Sequence, residues 1–597
     1  MRRSPRVVLG LTLAIDAGLL VVLPSCGAPA GRAAAAQAPS APAAPSASGD
    51  ATAELLARLA EPSGVDSAVV ELAATYQALR EEGRNVEPWL QSFLEPLIDT
   101  YVTRLGSLRP ETRHRLIQLL SATEAPETEP ALVAAFEAFA DQRLDQVEVD
   151  LESASMAQER LRLPGVRTPL FQAYRTLRAH TDAGRKAYQS VSRALLSAPD
   201  PEWAPTLREM VSTPIPLPNE DRAEYTDQLF WQTVAAQLLG SLGDPSAARP
   251  LLGVVLDPGK SEIASTAVLA LVKLGPAAVP PAAAVLEGQD EELIRLHRTQ
   301  MERVDKPSAG KTNGKPRDDH GLLAAIVLGA TGQPAAQAPF LRALRQASSP
   351  VDRAVLIREL AKLPPNETIR ARFQQEFARI DLNVRMPPVG TVALAELAAE
   401  AVPRFYDPGV VPWLLERARR AQGDPVAQAD FRRAALATAI KLAQLDQLPL
   451  IEPKIGPWGT PREADRPGDS QSPRLESDLL GDAKALLEQC KDDEACYFDA
   501  LADRKPAASG ASFSAIRAAY QLAIEGDEQT ATQLVDLVPE IDSPTVRFAV
   551  VQAVDHLLPA GSNELAGRLE AAAPPGEPGD PIREVAYRLH GRAVPLR

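Results

Sequence analysis

The six histidines of this 597-residue chain are the side chains best suited to metal or proton-transfer chemistry, and they are scattered. His114, His180, His297, His320, His556 and His590 stand singly, none with a second histidine at helical spacing, so no shared metal ion is expected. His320 follows Asp318 and Asp319 but borders a polar stretch rich in Lys, Asp, Gly and Pro. Gly310-Lys311-Thr312 has the end of a phosphate-binding loop without its beginning: Asp305 stands where the first glycine is needed, and no strand precedes it. Paired acids such as Glu81-Glu82 and Asp492-Asp493 are ordinary on solvated helix faces. There is no dinucleotide fingerprint, nucleophile elbow or His-Glu-x-x-His pattern. The expectation is a chain that is not an enzyme, with no catalytic residue, metal, cofactor or small-molecule substrate. Of the five tryptophans, Trp89, Trp203, Trp231, Trp413 and Trp458, those at 231 and 413 lie in apolar helices and should be buried. Trp458 lies in a Gly/Pro-rich stretch and is the better candidate for a contact.

The first residues have the grammar of an export signal: basic Met1-Arg2-Arg3-Ser4-Pro5-Arg6, an apolar stretch from Val7 to Leu23, then small residues. Leu23-Pro24-Ser25-Cys26-Gly27 resembles the bacterial lipobox, and that resemblance implies cleavage after Ser25 and acylation of Cys26. Gly27, in place of aspartate, favours the outer membrane by the same resemblance. Residues 26–50 are almost entirely Ala, Pro, Ser, Gly and Gln after the cysteine, too poor in bulky apolar surface to fold. They form a tether of roughly 25–30 Å end to end.

With Cys26 acylated, Cys490 and Cys496 are the cysteines that remain, and export places them where disulfides persist. On one unbroken helix, residues six apart are separated by about 9 Å along the axis, too far for a bridge. A disulfide therefore predicts two helices, the first ending near Cys490 and the second capped by Asp492 or Asp493.

The formal charge of −15 excludes a general nucleic-acid binder, since no Lys/Arg-rich run interrupts the acidity of the body. The leader carries three arginines against Asp16, so its removal makes the remainder more acidic still. An acidic surface favours solubility and basic partners.

These features ride on helices. From Ala51 onward apolar residues recur with helical period, and long β-branched alternating runs are lacking, so the fold class is all-α. In Gln228–Gly243, Phe230, Val234 and Leu238 run beside Trp231, Ala235 and Leu239 in rails spaced by four. Asp244-Pro245 then stops one helix and starts another, because aspartate caps free N–H groups and proline suits a first helical turn. The same punctuation recurs at Pro276, Pro334, Pro364-Pro365, Asp407-Pro408, Pro449 and Pro559, and several of these turns lie about 31 to 43 residues apart. One helical hairpin per repeat follows, an α-solenoid.

Leu239-Gly240-Ser241-Leu242-Gly243-Asp244-Pro245, Pro544-Thr545-Val546-Arg547-Phe548-Ala549-Val550 and Pro581-Ile582-Arg583-Glu584-Val585-Ala586 resemble bacterial HEAT repeats of the phycobilisome-lyase-like type. The resemblance runs from about Thr226 to the end. It implies that Gly-Asp-Pro joins two helices and that the Val-Arg pair lies early in the first. The expected organisation is a signal peptide at 1–25, the tether at 26–50, a degenerate helical region at 51–225, and a repeat array at 226–455 holding a mobile insertion at 298–320. A flexible linker at 456–477 and a C-terminal array at 478–597 complete it.

A lipid-anchored array of this kind reads as a scaffold of the bacterial cell envelope that binds an envelope protein or peptide in a groove, with the membrane reached through its acyl chains. A lyase-like or envelope-modifying enzyme and a structural spacer of an envelope complex are the alternatives.

Overall fold

The computed structural model describes residues 49–84, 86–142, 148–305, 319–380, 399, 401–459, 476–502, 513–574 and 579–593. Among them every regular element is a helix, and the fold is an all-α array of helical hairpins.

A single turn recurs through it. Pro126, Pro164, Pro201, Pro245, Pro276 and Pro334 occupy the first or second position of short 3-10 turns. Each is followed four or five residues later by a second proline, Pro130, Pro169, Pro205, Pro250, Pro280 or Pro339, in the first turn of an α-helix of 8 to 12 residues. Both prolines stand where an N–H would lack a helical partner and where their fixed φ is already helical. The turn first occurs at Pro126 and recurs at Pro164 and Pro201, so the same rule already operates within residues 126–225.

A second device opens two helices. In Ser349-Pro350-Val351-Asp352-Arg353 and Ser543-Pro544-Thr545-Val546-Arg547 the serine caps the helix, accepting from Asp352 N and Val546 N. The arginine reaches back six residues to a loop carbonyl, Ala347 O for Arg353 at 2.7 Å and Ile541 O for Arg547 at 3.0 Å. The early arginine thus holds the preceding loop down on its helix.

The chain divides into two compact units at Leu242/Gly243. In the N-terminal unit, Glu148–Leu161 lies between Pro110–Ala122 and Asp182–Ser197, while Glu129–Ala140 lies against Arg167–Thr176. First helices therefore stack on first helices and second on second. Trp231 ties this unit together, its Nε1 donating to Tyr174 O at 3.0 Å and Leu177 O at 3.1 Å while the Tyr174 hydroxyl donates to Trp231 O.

The C-terminal unit departs from an open solenoid, in which each repeat touches its neighbours alone. Its last helix, Asp580–Ala593, packs on Pro544–Leu557 as a neighbour should, but also on Ala264–Leu274 and His320–Thr331, some 300 residues earlier. The row of helices closes on itself. The closest point is a glycine crossing: a Cβ on Gly275, whose φ is +56°, would lie 2.8 Å from Gly591 Cα. Only hydrogen fits on either side. Residues 460–475 lie outside the described set, yet helices on both sides of them, Pro425–Leu442 against Glu476–Cys490 and Phe513–Glu525, pack into this one unit.

Two boundaries read from sequence differ. Arg298, expected to open an insertion, lies inside the helix Glu291–Asp305, with His297 buried; residues 306–318 lie outside the described residues. Trp458, expected in a loop, ends the helix Leu448–Trp458, with Arg432 and Lys454 each 5.7 Å from its ring centroid. Ala264–Leu286 is long and apolar enough to cross a membrane by length and composition, but half of it is buried in the protein and Gly275-Pro276 breaks it into two helices.

Candidate functional site

Closure of the C-terminal unit brings polar side chains from four separate segments to one place. The Pro544–Leu557 helix supplies Gln552, Asp555 and His556, and the terminal helix supplies Arg588 and Arg592. Pro350–Leu360 and the turn after it supply Arg358, Glu359, Lys362, Pro364 and Pro365, and the 3-10 turn Val402–Phe405 brings Arg404 and, just beyond it, Tyr406. Eleven residues from these segments line a narrow cleft of about 20 Å³, room for little more than a single water, among them Lys362, Arg404, Tyr406, Gln552, His556 and Arg592.

Asp555 is the pivot. It accepts from Arg588 Nη1, and Arg592 Nη2 lies 2.9 Å from its other oxygen. Burial pushes its carboxyl up, but Arg588, Arg592 and Arg404 together hold it below the usual carboxylate range. The same two arginines fasten the terminal helix to the start of the unit: Arg588 Nε donates to Ala330 O at 2.9 Å and Arg592 Nε to Gly332 O at 3.1 Å. Gly332 is required there, since its φ is +58° and a Cβ would lie 2.3 Å from Arg588 Cδ. Beneath this pair, buried Glu359 meets Arg358 and, at 2.9 Å, Lys362 Nζ.

The cleft wall has two unusual members. Tyr406 is buried with φ at +46°, a conformation that bulky residues rarely adopt and that collects at functional sites. Its ring lies 4.5 Å from that of His556 and 5.2 Å from that of Tyr520. Burial, aided by Arg592 and opposed by Asp555, pushes His556 down to about 4, so its imidazole is neutral near pH 7. Its Nδ1 is buried and has no hydrogen-bond partner. Arg404 Nη1 donates to Gln552 Oε1 at 3.0 Å, joining the 3-10 turn to the helix.

Among the sequence candidates, Cys490 and Cys496 are disulfide-bonded, with Cα atoms 5.3 Å apart. The first helix ends at Cys490, Lys491 turns with φ at +48°, and Asp493 accepts from Ala495 N at 3.1 Å to start the next. Cys26 and Gly310-Lys311-Thr312 lie outside the described residues. His297 Nδ1 lies 2.7 Å from Leu256 O and its Nε2 2.9 Å from Asp319, with His320 alongside. Among the described residues no three His, Cys, Asp or Glu side chains are grouped to share a metal ion.

Of the cleft, sequence reading had singled out His556 alone, as a packed or surface residue. The missed signal was the run Val550-Val551-Gln552-Ala553-Val554-Asp555-His556, where an acid interrupts an apolar rail, and its counterpart Glu359 in Ala354-Val355-Leu356-Ile357-Arg358-Glu359-Leu360. A charge at a core position needs a partner, and here the partners come from far along the chain. No protein-family model matches this chain, and no characterised protein matches its sequence.

Proposed function

We propose that this chain is a scaffold of the bacterial cell envelope, a HEAT-type helical-repeat body carried on acylated Cys26 and a flexible tether, which binds a protein or peptide partner. The observation supporting this reading is the recurring hairpin itself. Each Pro-3-10-Pro turn sets the second helix against its neighbours, so the core is satisfied from within and the outer faces are free to serve recognition. An acidic surface adds a salt-sensitive attraction for basic segments of the partner, screened within about 8 Å at physiological ionic strength.

The test is purification of the mature protein from native membranes in mild detergent. A protein that co-purifies at fixed stoichiometry, and is lost on raising salt, is the expected result. An envelope-modifying activity is the second reading, favoured by the neutral imidazole of His556 in a polar cleft. Turnover of an envelope substrate that His556→Asn abolishes without unfolding the chain would replace the scaffold reading.

A further inference from the structure

We propose that His297 and Asp319 form a pH-sensitive clasp in the C-terminal unit, closed while the imidazole carries hydrogen on both nitrogens and opened as the solution turns alkaline. This goes beyond the scaffold reading and does not depend on it.

Two of the partners of His297 set its charge. Nδ1 lies 2.7 Å from the carbonyl oxygen of Leu256, and Nε2 lies 2.9 Å from Oδ1 of Asp319. A carbonyl and a carboxylate accept, so each ring nitrogen must donate, and the ring that donates twice is the imidazolium. His556, by contrast, is pushed down to about 4 by burial and has no partner on Nδ1. Leu256 ends the helix Ala248–Leu256, where the last carbonyls carry partial negative charge and favour a cation. His297 is buried, and a buried cation persists where it is paired.

Asp319 supplies the second half of the device. It stands at the N-cap of His320–Thr331, yet its side chain makes no cap hydrogen bond with that helix and is turned to His297 instead. The helix is therefore held at its start by His297, and at its end by Arg588 and Arg592, which donate to Ala330 O and Gly332 O. Once the imidazole gives up a hydrogen, one of the two bonds is lost and the Asp319 carboxylate is free to cap its own helix. This releases the start of a helix that packs on both Ala264–Leu274 and Asp580–Ala593, at the seam where the row of helices closes.

The neighbouring charges do not reproduce this behaviour. His320 lies with its ring centroid 6.2 Å from that of His297. Burial raises the Asp257 carboxyl, with Lys260, Arg303 and His297 pulling against it. Arg249, at the far end of Ala248–Leu256, is on Asp290 and Glu292, and Val279–Leu286 carries no ionisable side chain. A base that holds its proton more tightly when folded contributes stability that is complete below about 6.5 and lost as pH rises through its folded value. Burial pushes Lys260 down to about 8, so its titration acts in the opposite sense, the folded chain shedding a proton that the unfolded chain keeps.

The experiment uses the full mature protein with isotope-labelled histidine rings. NMR at about pH 7 is expected to show hydrogen on both nitrogens of the ring whose signals vanish in His297→Gln, while the His556 ring is neutral. The His297 titration should centre above the ordinary value of about 6.5 and move down by about one unit or more in Asp319→Asn. Amide exchange in His320–Thr331, corrected for its intrinsic pH dependence, is then compared about one unit below and one unit above that midpoint. It should quicken at least about tenfold in wild type and stay level in His297→Gln. Should His297→Gln fail to fold, Asp319→Asn carries both readouts. A single hydrogen on the His297 ring near neutral pH, or wild-type exchange that does not change across the midpoint, overturns the clasp.

Discussion

At the scale of single residues, His556 and the cysteine pair make the sharpest predictions. His556 is held near 4 in the folded chain against about 6.5 when unfolded, so folding disfavours its proton. A base with a lowered folded pKa contributes stability that is intact above 6.5 and lost as pH falls from 6.5 towards 4. Asp555 is held below its usual value, so its contribution survives above about 3.8 and is lost only at lower pH. The window between 6.5 and 4 therefore isolates the histidine from Asp555. Urea melts of the C-terminal unit should lose up to about 3 kcal/mol across that window in wild type, and distinctly less in His556→Gln. Parallel pH profiles would show that the imidazole is not buried as described.

The Cys490–Cys496 bridge closes a very short loop, which in the chain-entropy model stabilises by roughly 2 kcal/mol. Cys490→Ser with Cys496→Ser should lower the melting temperature by a few degrees and abolish the effect of reductant on it. An unchanged melt, or two thiols alkylated without reductant in exported protein, would contradict the bridge.

At the scale of elements, the helices were legible and their closure was not. Rails such as Phe230, Val234 and Leu238 gave the helix Arg222–Leu242, and Asp244-Pro245 gave its end, because periodicity and capping are local. The break at Cys490 was readable too, since a bridge six residues apart demands one. The packing of Asp580–Ala593 on Ala264–Leu274 was not readable, because it depends on two glycines, Gly275 and Gly591, that meet across more than 300 residues. Nothing near either one in sequence announces the other. The cleft was missed for the same reason: its polar side chains meet once the ring of helices closes. Gly591→Ala should cost about 1–3 kcal/mol by forcing that crossing apart. Gly567→Ala, on an exposed helix face with nothing within 4 Å of the new methyl, should stabilise by roughly 0.5–1 kcal/mol through helix propensity. Thermal melts of the two variants decide it, and equal effects would mean that the glycine crossing is not tight.

At the scale of the whole molecule, the account joins an acidic chain of 597 residues, two compact all-α units and a proposed lipid anchor into an envelope scaffold. Anchoring has its own check: a fatty-acid probe should label wild type and leave Cys26→Ser unlabelled and released from membranes, whereas unaltered labelling would remove the anchor. The claim that the molecule exists to hold another protein is tested most directly by photocrosslinking in the native envelope. A photoreactive residue is placed at Pro365 at the edge of the cleft, and singly at exposed positions such as Val70, Met156, Val426 and Leu450. The account predicts a discrete adduct with one protein, confined to a contiguous subset of positions. No adduct above background at any of them, in cells where the protein is intact and membrane-bound, would contradict it.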